Sequence, residues 1–236
     1  MRIILAFWIW ILTIGAAVAG PWPRGDGQHY LSFALSQDVD AGQPWQSLYH
    51  EWGVTDRTTL ILRQGTSFDG KVNLLAAISR DIWPGRRVKL AWSLGAGLHE
   101  NDPAAMAGLS VGRSFQIAGR AAWLATEFQA LATRKVIVGT TEVTVGVTTA
   151  RGIKFYGQLS SRHFLHDPAP VTVVIPPGPF FGPPPVTTIT WFPPEVRLGL
   201  NASIPVREGL AIDLGISQGV QQGGTRRVKL GITAEF

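Results

Sequence analysis

From Arg226 to Phe236 the chain alternates without a break: Val228, Leu230, Ile232, Ala234 and Phe236 are apolar, while Arg227, Lys229, Gly231, Thr233 and Glu235 are polar or small. Period two is the spacing of a β-strand whose two faces meet different surroundings. A strand that separates lipid from a polar interior needs ~9 to 11 residues to cross the bilayer. The same pattern recurs in Leu210, Ile212, Leu214 and Ile216 against Asp213 and Ser217. It recurs again in Val196, Leu198, Leu200, Ala202 and Ile204 against Glu195, Arg197, Asn201 and Ser203, and in Val88 to Leu98 against Lys89, Ser93 and Gly97.

Weaker versions lie at 28–36, 45–54, 58–66, 70–79, 105–113, 116–130, 135–149 and 152–164. In 116–130 the neighbours Trp123 and Leu124 are both apolar, which leaves the facing open, and 135–149 changes parity near Thr140. Together the segments predict an all-β fold: an antiparallel up-and-down transmembrane β-barrel of about twelve strands, an even number that returns both termini to one side. Connection lengths point the same way. Tight turns are expected at Thr55-Asp56-Arg57, Asp81 to Arg86, Ser114-Phe115, Ala150-Arg151 and Pro205 to Gly209, and loop-like links at Gln37 to Pro44, Gly65 to Gly70, His99 to Pro103, Thr133-Arg134, Asp167 to Thr188 and Gln221 to Thr225. Short periplasmic turns and longer external loops are the habit of such barrels.

Composition fits. Only 16% of residues are charged, against about a quarter in a soluble domain. A secreted soluble β-sandwich also has alternating strands, but it would put the small, Gly-rich face in water, and the long strands argue against it. With no cysteine, disulfides, thiolate metal sites and a lipid anchor on an N-terminal Cys are all excluded. The net charge of +5 is spread along the chain, unlike the clustered arm of a nucleic-acid binder.

The N-terminus reads Met1-Arg2, an apolar run from Ile3 to Ile14, then Gly15-Ala16-Ala17-Val18-Ala19 before Gly20-Pro21. That order describes a secretory signal over 1–19, cleaved after Ala19, with a retained anchor as the alternative. The mature chain, 20–236, is then a single barrel domain. Several aromatics fall near strand ends, where an amphipathic ring suits the headgroup region: Trp45, Trp52, Trp83, Phe128, Phe164, Trp191 and Phe236. Ten of the sixteen prolines lie between Asp167 and Pro194. Proline removes ladder donors and fixes φ, so 167–194 is expected to be a stiff external excursion outside the sheet.

The alternation directs Tyr49, Glu51, Arg63, Lys89, Lys154, Tyr156, Arg162, Glu195, Arg197, Asp213, Arg227, Lys229 and Glu235 inward. They are the expected lumen-lining residues, with a cationic excess. Two readings stay open: an interior plugged by cross-strand ion pairs, or a narrow pore whose basic lining favours small anions. Ser160, Ser161 and His163 are the candidates for a nucleophile and base, but neither an oxyanion site nor a third partner is recognisable beside them. No catalytic, metal-binding or cofactor-binding residues are assigned.

The last eight residues, Lys229-Leu230-Gly231-Ile232-Thr233-Ala234-Glu235-Phe236, resemble the C-terminal β-signal of bacterial outer-membrane proteins, with Lys229, Gly231, Ala234 and Phe236 at its marked positions. The resemblance implies a transient partner, the barrel-assembly machinery, and a place in the bacterial outer membrane among its lipid and lipopolysaccharide. Trp22-Pro23-Arg24-Gly25-Asp26-Gly27 and Tyr49-His50-Glu51-Trp52-Gly53-Val54-Thr55-Asp56-Arg57 are similar to stretches of small alphaproteobacterial outer-membrane barrels of no established activity. That likeness implies no catalytic residues. The function expected is a passive channel or small-solute transporter; the alternative is a closed structural or interaction barrel without a conducting pore, and behind both stands an outer-membrane lipid hydrolase.

Overall fold

The structure is a computed structural model describing residues 22–40, 42, 44–67, 69–166, 194–221 and 224–236. The expected signal and nearly all of the Pro-rich excursion, Trp191 included, lie outside these residues. Twelve strands follow one another: β1 His29–Asp38, β2 Pro44–Thr55, β3 Thr58–Ser67, β4 Val72–Asp81, β5 Val88–His99, β6 Asp102–Ile117, β7 Arg120–Thr133, β8 Ile137–Thr148, β9 Lys154–His166, β10 Glu195–Arg207, β11 Leu210–Gly219 and β12 Arg226–Glu235. Each pairs antiparallel with its neighbours in sequence, and β1 pairs with β12 to close the barrel. Closure leaves no open edge, the condition under which strands can cross a bilayer.

The two faces differ as period two demands. Outward stand Phe33, Leu62, Leu94, Phe128, Leu159, Leu200, Leu214 and Leu230, all strongly exposed. In a soluble protein so large an apolar surface would drive association; here it is the belt that meets acyl chains. Inward, part of the interior is packed: Ile61, Leu75, Ala77, Ala104, Met106 and Leu131 of β3, β4, β6 and β7 form an apolar cluster against Tyr49. Inward positions of β9 to β12 carry Gln158, Asn201, Ser203, Ser217, Lys229 and their charged neighbours instead. The interior is therefore filled on one side and polar on the other.

The turn between β6 and β7 corrects an expectation. It lies at Ala118-Gly119, with φ of 49° and 73°, rather than at Ser114-Phe115. A two-residue hairpin that matches strand twist needs positive φ at both positions; Gly119 supplies it freely, and Ala118 accepts a conformation disfavoured for L-residues. β6 consequently runs four residues past its expected end at Arg113. The external link between β5 and β6 is equally tight, with Glu100 and Asn101 at φ of 49° and 70°, so the expected contrast in connection lengths does not extend to it.

In β7, Trp123 points inward and is 4% exposed while Leu124 is exposed to lipid. The β8 pairs Glu127↔Glu142 and Leu131↔Val138 keep one parity throughout, so no switch occurs at Thr140. Trp52 and Phe236 face outward near strand ends; Phe128 also faces outward but lies within β7, away from the expected end position, and Trp45 turns inward, its indole over Gly65, where a Cβ would collide with the ring. Arg162 lies over the Phe164 ring at 5.6 Å, which places Phe164 inside the external rim.

Candidate functional site in the barrel lumen

Charged and aromatic side chains gather at three levels along the lumen. The external mouth is basic. Arg162 and Glu195 pair across β9 and β10, and Arg197 Nε donates to Glu195 Oε1 at 2.7 Å while its Nη2 donates to Thr225 Oγ1 at 2.8 Å. Arg227 lies opposite Asp38 on β1 and Ser217 on β11, with Lys229 two residues deeper. Just outside, Asp40 accepts the Arg226 backbone N–H at 2.9 Å and the Arg226 guanidinium at 3.1 Å. The backbone bond and then the guanidinium hold the Asp40 carboxyl below its usual range. This clasp across the β1–β12 seam therefore persists at neutral pH and opens as pH falls through that lowered value.

At mid-depth Arg63 reaches from β3 to β7, donating from Nη2 to Glu127 Oε1 at 3.2 Å and from Nη1 to Gln129 Oε1 at 3.3 Å. These strands are separated by three others around the ring, so the pair crosses the interior. Glu142 faces Glu127 from β8. Arg63 and Glu127 are each 30% exposed, which leaves space for water beside them.

The periplasmic third is aromatic and densely paired. Glu51, 4% exposed, accepts from Arg24 Nε and from Tyr49 Oη. Arg24 lies over the Tyr30 ring at 4.4 Å. Tyr30 meets Tyr49 edge-on at 6.1 Å, and Trp123 meets Tyr156 at 6.4 Å. Lys89 pairs with Asp81 at 3.3 Å and Lys154 with Glu235 at 4.0 Å. Asp213 is buried on β11.

Inward residues that the alternation did not single out are Arg24, Asp38, Asp81, Glu127, Gln129, Glu142 and Trp123. Four of these are acids and one is a cation, so the expected cationic excess is cancelled, and position matters more than sum. Parity along β7 and β8 was the available signal for Glu127 and Glu142. Arg24 precedes the first strand and has no periodic signature.

At the chain end, Phe236 stacks on His29 at 5.2 Å. Its carbonyl accepts the His29 N–H at 2.7 Å, and its own N–H returns to the His29 carbonyl at 3.2 Å. A Cβ on Gly231 would press to 2.9 Å from the Phe33 carbonyl oxygen across the seam. Lys229 faces in and Ala234 out. Ser161 Oγ lies 2.6 Å from His163 Nε2, but that pair shares the outward side with Val196, away from the lumen. An apolar groove of about 570 Å³ opens on the same lipid side, where Gly157 leaves room among Val145, Leu159, Leu198 and Leu200.

No family model matches the chain, and no curated protein sequence does. Among solved structures, the KdgM porin superposes with a TM-score of 0.64 at 7% identity, covering 88% of this chain and 99% of that one. The NanC porin gives 0.62 at 7% identity, covering 86% and 98%. An outer-membrane channel from Pseudomonas putida F1 gives 0.56 at 9% identity, covering 95% and 100%. The fold is a porin-like outer-membrane β-barrel. At such identities the likeness concerns the path of the chain, and residue roles rest on the lumen described above.

Proposed function

We propose that this protein is a passive outer-membrane channel for small solutes, with a basic external mouth that favours anions. The observation that carries the reading is the division of the lumen. Apolar packing fills the side of β3 to β7, while β9 to β12 present a continuous polar wall headed by Arg162, Arg197 and Arg227. A barrel built only to be filled has no need of such a wall, and cationic side chains at a mouth select for anions. Twelve strands lie between the eight whose interior is filled by side chains and the ~16 of open porins, which suits a narrow bore. The KdgM porin, which follows the same chain path, has been solved in complex with disordered oligogalacturonate, an acidic ligand. Export by a signal cleaved after Ala19, insertion by the barrel-assembly machinery through Lys229, Gly231, Ala234 and Phe236, and kinship with small alphaproteobacterial barrels belong to the same proposal.

The cross-lumen pair Arg63–Glu127 favours one second reading, a closed interaction barrel. Planar-bilayer recording of the refolded mature protein separates the two. A channel gives single-channel steps and an anion-selective reversal potential, and Arg197→Gln with Arg227→Gln moves that potential toward zero. Absence of current at every voltage leaves the closed barrel.

A further inference from the structure

The residues before β1 return into the barrel mouth. Gly27 N–H donates to the Gly53 carbonyl at 2.8 Å and Gly53 N–H donates to the Gln28 carbonyl at 2.9 Å, prolonging the sheet by one step. A tight turn then closes by Gln28 N–H to the Gly25 carbonyl at 3.0 Å, with Gly27 at φ 71°. Its consequence is that Arg24 is directed back into the lumen, where its own N–H donates to Thr59 Oγ1 at 3.0 Å.

Gly53 occupies an inward position of β2, and a Cβ there would collide with the carbonyl oxygens of Gly25 and Arg24. The wall therefore leaves a seat for this segment. Arg24, 8% exposed, sits at the level of Tyr30, Tyr49 and Tyr156, which are all the tyrosines of the chain. Arg24 lies over the Tyr30 ring of β1 and donates to Glu51 of β2, while its own N–H reaches Thr59 of β3, so three strands converge on it. Arg24 Nη2 and Trp123 Nε1 are buried without a hydrogen-bond partner among the described residues. Buried donors are seldom left unpaired, and two on one lumenal belt show how tightly the strap and the wall close on each other at this level.

We propose that the segment 22–28, through Arg24, forms the periplasmic constriction of the bore and sets the size of solute that passes; this rests on the channel reading above. The limiting group is supplied by a strap that precedes β1 and is not part of any strand.

The test compares the refolded mature protein with Arg24→Ala, which removes the side chain, and Gly53→Val, which denies the strap its seat. Single-channel conductance and liposome swelling with mono-, di- and trisaccharides are read, and circular dichroism confirms the barrel in each. Both variants are expected to conduct more than the parent and to admit a larger sugar. An Arg24→Cys variant, the sole thiol in a chain without cysteine, should also conduct more and fall back when a bulky thiol reagent is attached. A silent parent with conducting variants supports a constriction tight enough to close the bore. A conducting parent with folded variants of the same conductance and sugar limit overturns the inference and leaves the channel intact. Silence in all of them overturns the channel, and the inference with it.

Discussion

Glu51→Ala is expected to lower the stability of the folded barrel by about 3 kcal/mol, the low end for removing one partner of a buried ion pair. Glu51 is the counter-ion of Arg24 and the acceptor of the Tyr49 hydroxyl. Its loss leaves a buried guanidinium with no opposing carboxylate and a buried hydroxyl with no acceptor, the latter alone worth ~1–3 kcal/mol. The low end applies because Arg24 is on a tether and can withdraw from the lumen. The double variant Arg24→Ala with Glu51→Ala is therefore expected to be more stable than Glu51→Ala alone. Guanidinium unfolding in lipid vesicles, followed by tryptophan fluorescence, reads this as a double-mutant cycle. Additive losses in the two single variants would show that the pair is not coupled.

The second large effect concerns the outer wall. Leu200, 69% exposed at the outward side of β10, pairs with Gly157 and Ile216 on the flanking strands. Leu200→Arg is expected to destabilise the protein by ~2–4 kcal/mol, the cost of a cation on the lipid face near the bilayer midplane. In a water-soluble protein the same exposed position would change stability by only about ±0.5 kcal/mol. Its neighbour Asn201 faces the lumen, so Asn201→Arg is expected to fold nearly as well as the parent. Equal tolerance of both substitutions in vesicle unfolding would deny that the two faces have different solvents.

How far the sequence disclosed this structure depended on the kind of signal each element carries. β5, β10, β11 and β12 alternate cleanly because lipid on one side and polar contents on the other constrain every residue, so their facing was legible. Alternation says which way a side chain points but not where a strand ends. Ser114-Phe115 therefore looked like a bend, although the chain turns at Ala118-Gly119, where both residues have positive φ. Trp123 was ambiguous because its inward placement depends on Gly146 across the ladder, whose missing side chain makes room for the indole. Arg24 was invisible to any periodic argument: it enters from outside the strand repeats, through a turn made possible by Gly27 and a seat made by Gly53. Glu127 and Glu142 were missed for a third reason, since they lie on the two strands whose facing the sequence left open.

The most direct test of the alternating wall uses β12, where the chain's lack of cysteine permits single-cysteine substitutions at 227, 228, 229, 230 and 232, each carrying a fluorescent label in the refolded protein. The account predicts a two-residue rhythm: labels at 228, 230 and 232 are quenched by lipid-borne quenchers and spared by soluble ones, and labels at 227 and 229 do the reverse. A profile that changes smoothly with depth, or uniform access to the soluble quencher, would contradict it.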